Sequence, residues 1–363
     1  MKSWLSYDFN DMRLEDAPMP KARPGWVVCR TRVLQLSITE VAEFRGLPVS
    51  SHEVYKEMWN KQRPLPLFGH EFCAEVVEIG AGVENLSVGD RVFYHRGAQC
   101  GTCRYCKAGQ SQYCRSSTFV GEDTPGCLAE YFPVPAHVVA RVPKEVSDFE
   151  CASLQPLVSM VSSLEGLGIS MGDTVAVIGL GPMGLDTLQV ARVAGAGKVI
   201  AIARRDEVLS LARSLGADVT VNVTNSDPVD AVMQATNGLG CDVVVDCAGG
   251  SNEQGHAGTS AFQQGLQMLR NEGRIMEVGH LPTGAQIIYG LIEKKGLRVF
   301  GRRAPSARMI QYSIDLVASG RVKIEPTILH KLHGIEKVPE AFDMLANKAR
   351  HGIINPPQVV VWQ

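Results

Sequence analysis

The sequence offers no long apolar run. Its longest such stretch, around Val175–Leu180, is short and broken by glycines, so nothing in it reads as a membrane span. It also lacks an excess of either charge. The 36 Lys and Arg residues against 38 Asp and Glu leave a formal net charge of -2, which excludes a broad electrostatic attraction to nucleic acid or to an anionic membrane. Repeats and low-complexity segments are missing. The N-terminal stretch carries Asp8, Asp11, Glu15 and Asp16 without an apolar core, so no signal peptide is expected there. What remains is ordinary globular material: 363 residues, 45% hydrophobic and 20% charged, enough for two domains with full cores.

Cysteine, by contrast, is plentiful, with ten in the chain. Cys29, Cys73, Cys127, Cys151, Cys241 and Cys247 lie in mostly apolar surroundings, a pattern that suits reduced thiols and a cytoplasmic location. The other four, Cys100, Cys103, Cys106 and Cys114, follow a C-x2-C-x2-C-x7-C spacing. Neighbouring C-x2-C pairs make poor disulfides but good metal ligands. Four thiolates complete a tetrahedron around Zn²⁺ and leave no position for water, so the expectation is one structural zinc per chain.

The texture of the chain changes near Gly172. Before it come β-rich segments separated by Gly and Asn turns: Trp26–Leu34, Ala74–Gly80 and Asp90–Tyr94. After it, apolar strands alternate with helical stretches. Strands are expected at Thr174–Ile178, Lys198–Ala203, Val219–Val223, Cys241–Cys247, Gly273–Val278 and Leu297–Gly301, which predicts a parallel sheet covered on both faces.

Between the first of these strands and its helix lies Gly179-Leu-Gly181-Pro182-Met183-Gly184. In a G-x-G-x-x-G turn the first glycine allows the sharp bend and the second lets the backbone approach a pyrophosphate. The third lets the helix pack on the sheet, with its N-terminus facing the anion. Dinucleotide binding is therefore expected. An NAD site places an acidic residue on the ribose about 20 residues later, at the end of the second strand. Here that position is Ala203, followed by Arg204 and Arg205. A missing carboxylate and two guanidinium groups favour a 2′-phosphate, hence NADP over NAD. The competing reading leaves the arginines solvated, with Asp206 serving the ribose.

With these motifs in place, the chain resembles the medium-chain dehydrogenase/reductase superfamily, in its zinc-containing alcohol, sorbitol and threonine dehydrogenase branch. Gly69-His70-Glu71, Val88-Gly-Asp-Arg-Val, the four-cysteine lobe, Asp242–Gly249 and Gly273–Gly279 carry the likeness over nearly the whole length. The resemblance implies a GroES-like catalytic domain built from both chain ends (1–153, with the zinc lobe at 97–115, and 300–363) around a doubly wound Rossmann domain (154–299). It implies hydride transfer between a nicotinamide and an alcohol or carbonyl, usually over a second, catalytic zinc. It also implies a small-molecule substrate and a homo-oligomer, dimer or tetramer.

The second zinc is where this sequence departs from the family pattern. C-G-[ST]-D becomes Ser37-Ile-Thr39-Glu40, and the last ligand position falls on Gln155, with Cys151 one helical turn before it. His70 and Glu71 remain as possible zinc ligands, while a hydroxyl and a neutral amide are weak zinc donors. One zinc per chain is thus expected, with the space closed by hydrogen bonds among Ser37, His70, Glu71 and Gln155. In that case His70 or Thr39 carries the proton. The leading expectation is an NADP(H)-preferring alcohol–ketone oxidoreductase. The alternatives are a zinc-free reductase of an activated C=C or C=N bond, and a nucleotide-binding protein without catalysis. Two further features stand out. Leu47–Pro66 is a polar insertion with Tyr55 and Trp59 four apart, which could cover a pocket or pack on a neighbour, though the plainer reading, that they do neither, is favoured. Arg302 and Arg303 follow the last strand of the cofactor domain and could serve an anion.

Overall fold

A computed structural model describes residues 1–47, 51–249, 257–279, 281, 285–302 and 304–362. Residues 48–50 of the insertion and Arg303 lie outside them. The chain divides into two compact units: 1–155 with 305–318 and 324–363, and 156–304 with 319–323. No helix among the described residues is long and apolar enough to cross a membrane.

The first unit opens with a hairpin, β1 (Lys2–Asp8) and β2 (Asp11–Asp16), then β3 (Trp26–Gln35). Helices α1 (Ile38–Phe44) and α2 (His52–Lys61) precede β4 (Glu71–Ile79) and β5 (Arg91–Tyr94). A short helix α3 (Arg104–Lys107) sits in the cysteine lobe, followed by β6 (Tyr131–Pro135), β7 (Val139–Arg141) and α4 (Asp148–Ala152). Helix α5 (Leu154–Leu167) leads into the second unit. The sheet of the first unit runs β14-β15-β3-β4-β5-β7, with β6 also on β3; β14 (Lys331–His333) and β15 (Gln358–Val360) come from the C-terminal part. That part also supplies α11 (Ala307–Ala318), α12 (Val338–Ala346) and α13 (Lys348–His351). β3 shows why so long a strand forms: Val27, Val28, Cys29, Val33 and Leu34 are buried, β-branched or apolar, and paired on both edges.

Tyr55 and Trp59 of α2 are 0% and 2% exposed and belong to the core of this unit, packed with Phe68 and Phe9. They point inward and do not cover a pocket or a neighbour. Two aromatic rings on one helical face bury more apolar surface this way than any exposed role would allow.

The second unit is an all-parallel six-stranded sheet. Its strands are β8 (Thr174–Ile178), β9 (Lys198–Ala203), β10 (Val219–Asn222), β11 (Cys241–Asp246), β12 (Leu269–Glu277) and β13 (Arg298–Gly301), in the order β10-β9-β8-β11-β12-β13. The crossovers are α6 (Pro182–Val193), α7 (Asp206–Ser214), α8 (Pro228–Ala235), α9 (Ser260–Met268) and α10 (Tyr289–Lys295). Strands such as β8 and β11 are almost wholly buried, as parallel strands covered on both faces must be. The order reverses between β8 and β11, the crevice where such sheets receive nucleotides.

Candidate functional site

Ser37 caps α1. Its Oγ accepts from the Glu40 amide at 3.1 Å while its own N–H donates to Glu40 Oε2 at 2.8 Å, a reciprocal capping box. The box holds the Glu40 carboxylate at 1% exposure. Glu40 Oε1 then accepts from the amides of Gly69 (2.7 Å) and His70 (3.1 Å), and His70 Nδ1 lies 2.9 Å from it. The imidazole is thereby fixed with Nε2 as its remaining nitrogen, 4.0 Å from Glu71 Oε1. Glu71 Oε2 accepts from Gln35 Nε2 at 2.5 Å. Gln35 Oε1 in turn accepts from Ser153 Oγ (2.7 Å) and Gln358 Nε2 (3.1 Å). Strands β3, β4 and β15 and the end of α4 thus converge on one buried polar chain.

Burial alone would push His70 down. The Glu40 charge and hydrogen bond, with help from Glu71, overcome it and hold the imidazole at about 10. Burial likewise opposes ionisation of Glu40, but His70 outweighs it and the carboxyl is lowered. Burial lifts Glu71 to about 7, against the pull of His70 and Gln35. The arrangement is a cationic imidazole between an ionised carboxylate and one that titrates near neutrality, a donor able to give a proton to a developing alkoxide.

The structure brings His70 and Glu71 together but joins neither to Ser37 nor to Gln155. Ser37 is committed to the helix cap. Gln155 is half-buried at the start of α5. Glu40 and Gln35 take the positions expected of them, because an ionised carboxylate is a far better partner for an imidazole than a neutral hydroxyl. Thr39 is exposed on the first turn of α1. The Cys151 thiol donates to the Val92 carbonyl at 3.7 Å. Sequence reasoning missed Gln35, Ser153 and Gln358, which join only when the C-terminal strand docks. It also missed Glu43, whose Oε2 accepts from Tyr55 Oη at 2.9 Å. Burial, and then the charge of Glu122, raise Glu43 to about 8.

The cysteine lobe forms a second centre. The sulfurs of Cys100, Cys103, Cys106 and Cys114 lie within 4.8 Å of one another, with Cys103–Cys106 and Cys100–Cys114 both at 3.5 Å. A tetrahedron of thiolates about 2.3 Å from zinc has edges of about 3.8 Å, so these donors fit the ion. Gly101 and Gly109, at φ +70° and +71°, turn the loop. Hydrogen bonds from Thr102 and the Cys103 amide lower the Cys100 thiol to about 6, and the Cys100 amide lowers Cys114. Among the described residues this is the one group of three or more His, Cys, Asp and Glu donors close enough to share an ion. At His70 and Glu71 the set falls short of the three good donors a catalytic zinc requires, so no chemical step is derived through a metal there.

In the other unit, Gly179 has φ +85°, and a side chain on Gly184 would meet the Gly179 carbonyl at 1.9 Å. A Cβ on Gly181 would enter open space at the N-cap of α6, the space a pyrophosphate needs. Pro182 and Met183 form the first turn of that helix. Ala203 ends β9, Arg204 is exposed beyond it, and Arg205 stands at the N-cap position of α7. Asp206 Oδ1 accepts from Asn222 Nδ2 at 2.7 Å.

Comparison with known proteins identifies the family. Residues 24–144 match the alcohol dehydrogenase GroES-like domain, and residues 182–319 match the zinc-binding dehydrogenase family. The L-threonine 3-dehydrogenase of Pyrococcus furiosus is 35% identical over 92% of this chain and 91% of its own. The erythritol/L-threitol dehydrogenase of Mycolicibacterium smegmatis is 28% identical over 96% and 94%. A zinc-binding dehydrogenase from Sinorhizobium meliloti, solved bound to NADP, superposes with a TM-score of 0.85 at 27% identity, covering 100% of this chain and 99% of that one. The chain belongs to the zinc-containing medium-chain dehydrogenase/reductase superfamily and is an NAD(P)-dependent oxidoreductase.

Proposed function

We propose that this zinc-containing dehydrogenase interconverts a secondary alcohol and a ketone with NADP(H), that His70 moves the proton, and that its one zinc sits in the cysteine lobe. The observation that carries the reading is the imidazole held between Glu40 and Glu71 with Nε2 left for substrate. When bound, the nicotinamide supplies or takes the hydride. In the reducing direction His70 Nε2–H gives its proton to the alkoxide oxygen, and Glu40 keeps the ring charged and oriented. In the oxidising direction neutral His70 takes the hydroxyl proton. Thr39, exposed at the start of α1, is proposed to pass that proton between substrate and solvent side. Relatives named for L-threonine and for erythritol or L-threitol point to hydroxyl-bearing substrates. A panel of secondary alcohols, assayed by nicotinamide reduction, tests the reading. The shortage of metal donors at His70 favours one rival, a reductase of an activated C=C or C=N bond, so enones and imines belong in the same panel. Turnover of these alone would replace the first reading with the second.

The NADP preference is supported by Ala203 and by the arginines that follow it, and by the NADP-bound relative. Charge-assisted contacts to a 2′-phosphate contribute roughly 1.5–3 kcal/mol each. Joint replacement Arg204→Ala and Arg205→Ala should therefore weaken NADPH by about tenfold or more and leave NADH nearly unchanged. Equal losses of both, in a fluorescence titration, would show that the arginines do not read the phosphate.

A homo-oligomer is supported by the edge strand β13, where Val299 is 48% exposed, and by Tyr289 of α10 at 67%. An apolar, unpaired strand edge invites a second copy. The buried thiols, all unpaired, support a cytoplasmic location.

A further inference from the structure

At the C-terminal edge of the cofactor sheet, the register of β11 against β12 sets Asp246 directly beside Glu277. Residues paired in this way project to the same face of a sheet, so the two acids confront each other. Their outer oxygens are fully engaged. Asp246 Oδ1 accepts from the amides of Ala248 (2.8 Å) and Gly249 (3.1 Å), and Glu277 Oε1 accepts from the amide of Gly279 (2.6 Å). Their inner oxygens, Asp246 Oδ2 and Glu277 Oε2, are buried and receive no donor from any other described group. The two side chains lie within hydrogen-bonding reach of each other. Two neighbouring carboxylates, each with a buried oxygen that no donor reaches, are strongly unfavourable unless a proton lies between them.

The loops that these acids hold are the ones that follow β11 and β12, and they are packed without slack. A side chain on Gly279 would strike the Gly249 carbonyl at 2.4 Å, and one on Gly249 would strike Glu277 Oε1 at 2.5 Å. The first loop also backs onto the glycine turn, since a Cβ on Gly179 would lie 2.7 Å from Ala248.

We propose that Asp246 and Glu277 share one proton between Oδ2 and Oε2, and that this proton fastens residues 247–249 to residues 278–279 in the form that receives the nicotinamide cofactor. Both residues are positioning residues: they act on the cofactor through the backbone they hold. Loss of the proton sets two carboxylates against each other, parts the loops and weakens the cofactor. Burial first, and then the neighbouring Asp246, raise Glu277 to about 8, and burial raises Asp246 too. Among the described residues, the other charged or titratable groups facing the pair are few. Arg302, beyond β13, pulls Glu277 down and is itself lowered by burial, while Cys247 is pushed up by burial and then by Asp246, with smaller pushes from Glu277 and from Asp186 of α6. Arg302 stays charged over the range tested, and Cys247 stays neutral, so neither supplies a competing transition there.

Glu277→Gln tests the proposal. The amide nitrogen donates to Asp246 Oδ2 without any borrowed proton, and the amide oxygen still accepts from Gly279. In the wild-type enzyme the dissociation constant of the reduced cofactor, NADH or NADPH, whichever binds more tightly, should rise about tenfold between pH 7 and pH 9 if binding requires a proton lost near 8. In Glu277→Gln it should change less than about twofold over the same range. Asp246→Asn, which supplies its donor from the other side, should behave in the same way and covers the case in which the first variant folds poorly. Melting of the cofactor-free proteins reads the proton separately from the cofactor. The folded-state value of Glu277 is raised above its unfolded value of 4.5, so the stability it contributes is present below about 4.5 and is lost as pH rises through about 8. The wild-type protein should therefore lose stability relative to Glu277→Gln across that window. Equal pH dependence of affinity in wild type and both variants would overturn the proposal. So would a wild-type affinity that is flat to pH 9, or a difference in melting with none in affinity.

Discussion

Replacing Cys103 by serine should release the zinc and lower the melting temperature by roughly 10 °C, from a loss of about 4 kcal/mol. The lobe has little else to hold it. Cys100, Cys103, Cys106 and Cys114 are only partly buried, and α3 within it is four residues long with no buried residue. Without an ion, four sulfurs crowd within 4.8 Å, and the Cys100 thiol, lowered to about 6, would set negative charge beside the other three. Zinc removes that repulsion and closes the loop, so the binding free energy of the metal is folding free energy of the lobe. A serine oxygen is a poor, protonated donor and leaves three thiolates. Elemental analysis of protein purified without added metal should give one zinc per chain in the wild type and none in the variant. Chelation of the wild type should reproduce the loss of stability, and so should acidification, because protons compete for the thiolates. Unchanged zinc content with unchanged melting would remove the metal from this lobe.

The cysteine lobe and the cofactor sheet were legible in the sequence for a common reason: each is written in local spacing. C-x2-C-x2-C-x7-C needs only a loop to become a donor set. Strands β8, β9 and β11 are apolar runs, each preceded by Gly or Asp, and both faces are buried, so their pattern survives any tertiary context. The proposed catalytic region is different. Ser37-Ile-Thr39-Glu40 read as a damaged metal motif, whereas Ser37 and Glu40 are three apart and form a capping box that delivers Glu40 to His70. That S-x-x-E signal was present but competed with a family pattern at the same residues. Gln35 and Gln358 are 323 positions apart and meet only because β15 pairs with β3, a register no local pattern announces. Asp246 and Glu277 are likewise joined by strand register, each at the end of a strand whose apolar run gave no reason to look at its last residue.

The pairing of Glu40 with His70 leads to the other large effect expected. His70→Ala should lower the turnover of alcohol oxidation and ketone reduction by about 10²–10⁴, the usual contribution of a positioned proton donor or acceptor. Zinc content should stay at one per chain, because the proposed donors are the four cysteines. Glu40→Gln is the finer probe. Glutamine still completes a capping box with Ser37, so α1 should keep its cap. What is lost is the charge that holds the imidazole at about 10 against burial. With that charge gone, His70 should fall to its ordinary value of 6.5 or below. Ketone reduction needs the protonated ring, so its rate should hold up to about pH 10 in the wild type and fall from about neutral pH in Glu40→Gln. Alcohol oxidation needs the neutral ring and should gain at pH 7–8 in the variant relative to its own reduction rate. Stability carries the same sign. The folded value of His70 lies above its unfolded 6.5, so the pair stabilises fully below pH 6.5 and that contribution is lost as pH rises through about 10. The melting difference between wild type and Glu40→Gln should shrink over that window. A second zinc that disappears in His70→Ala would move the chemistry onto a metal. A reduction profile unshifted by Glu40→Gln would show that some group other than His70 gives the proton.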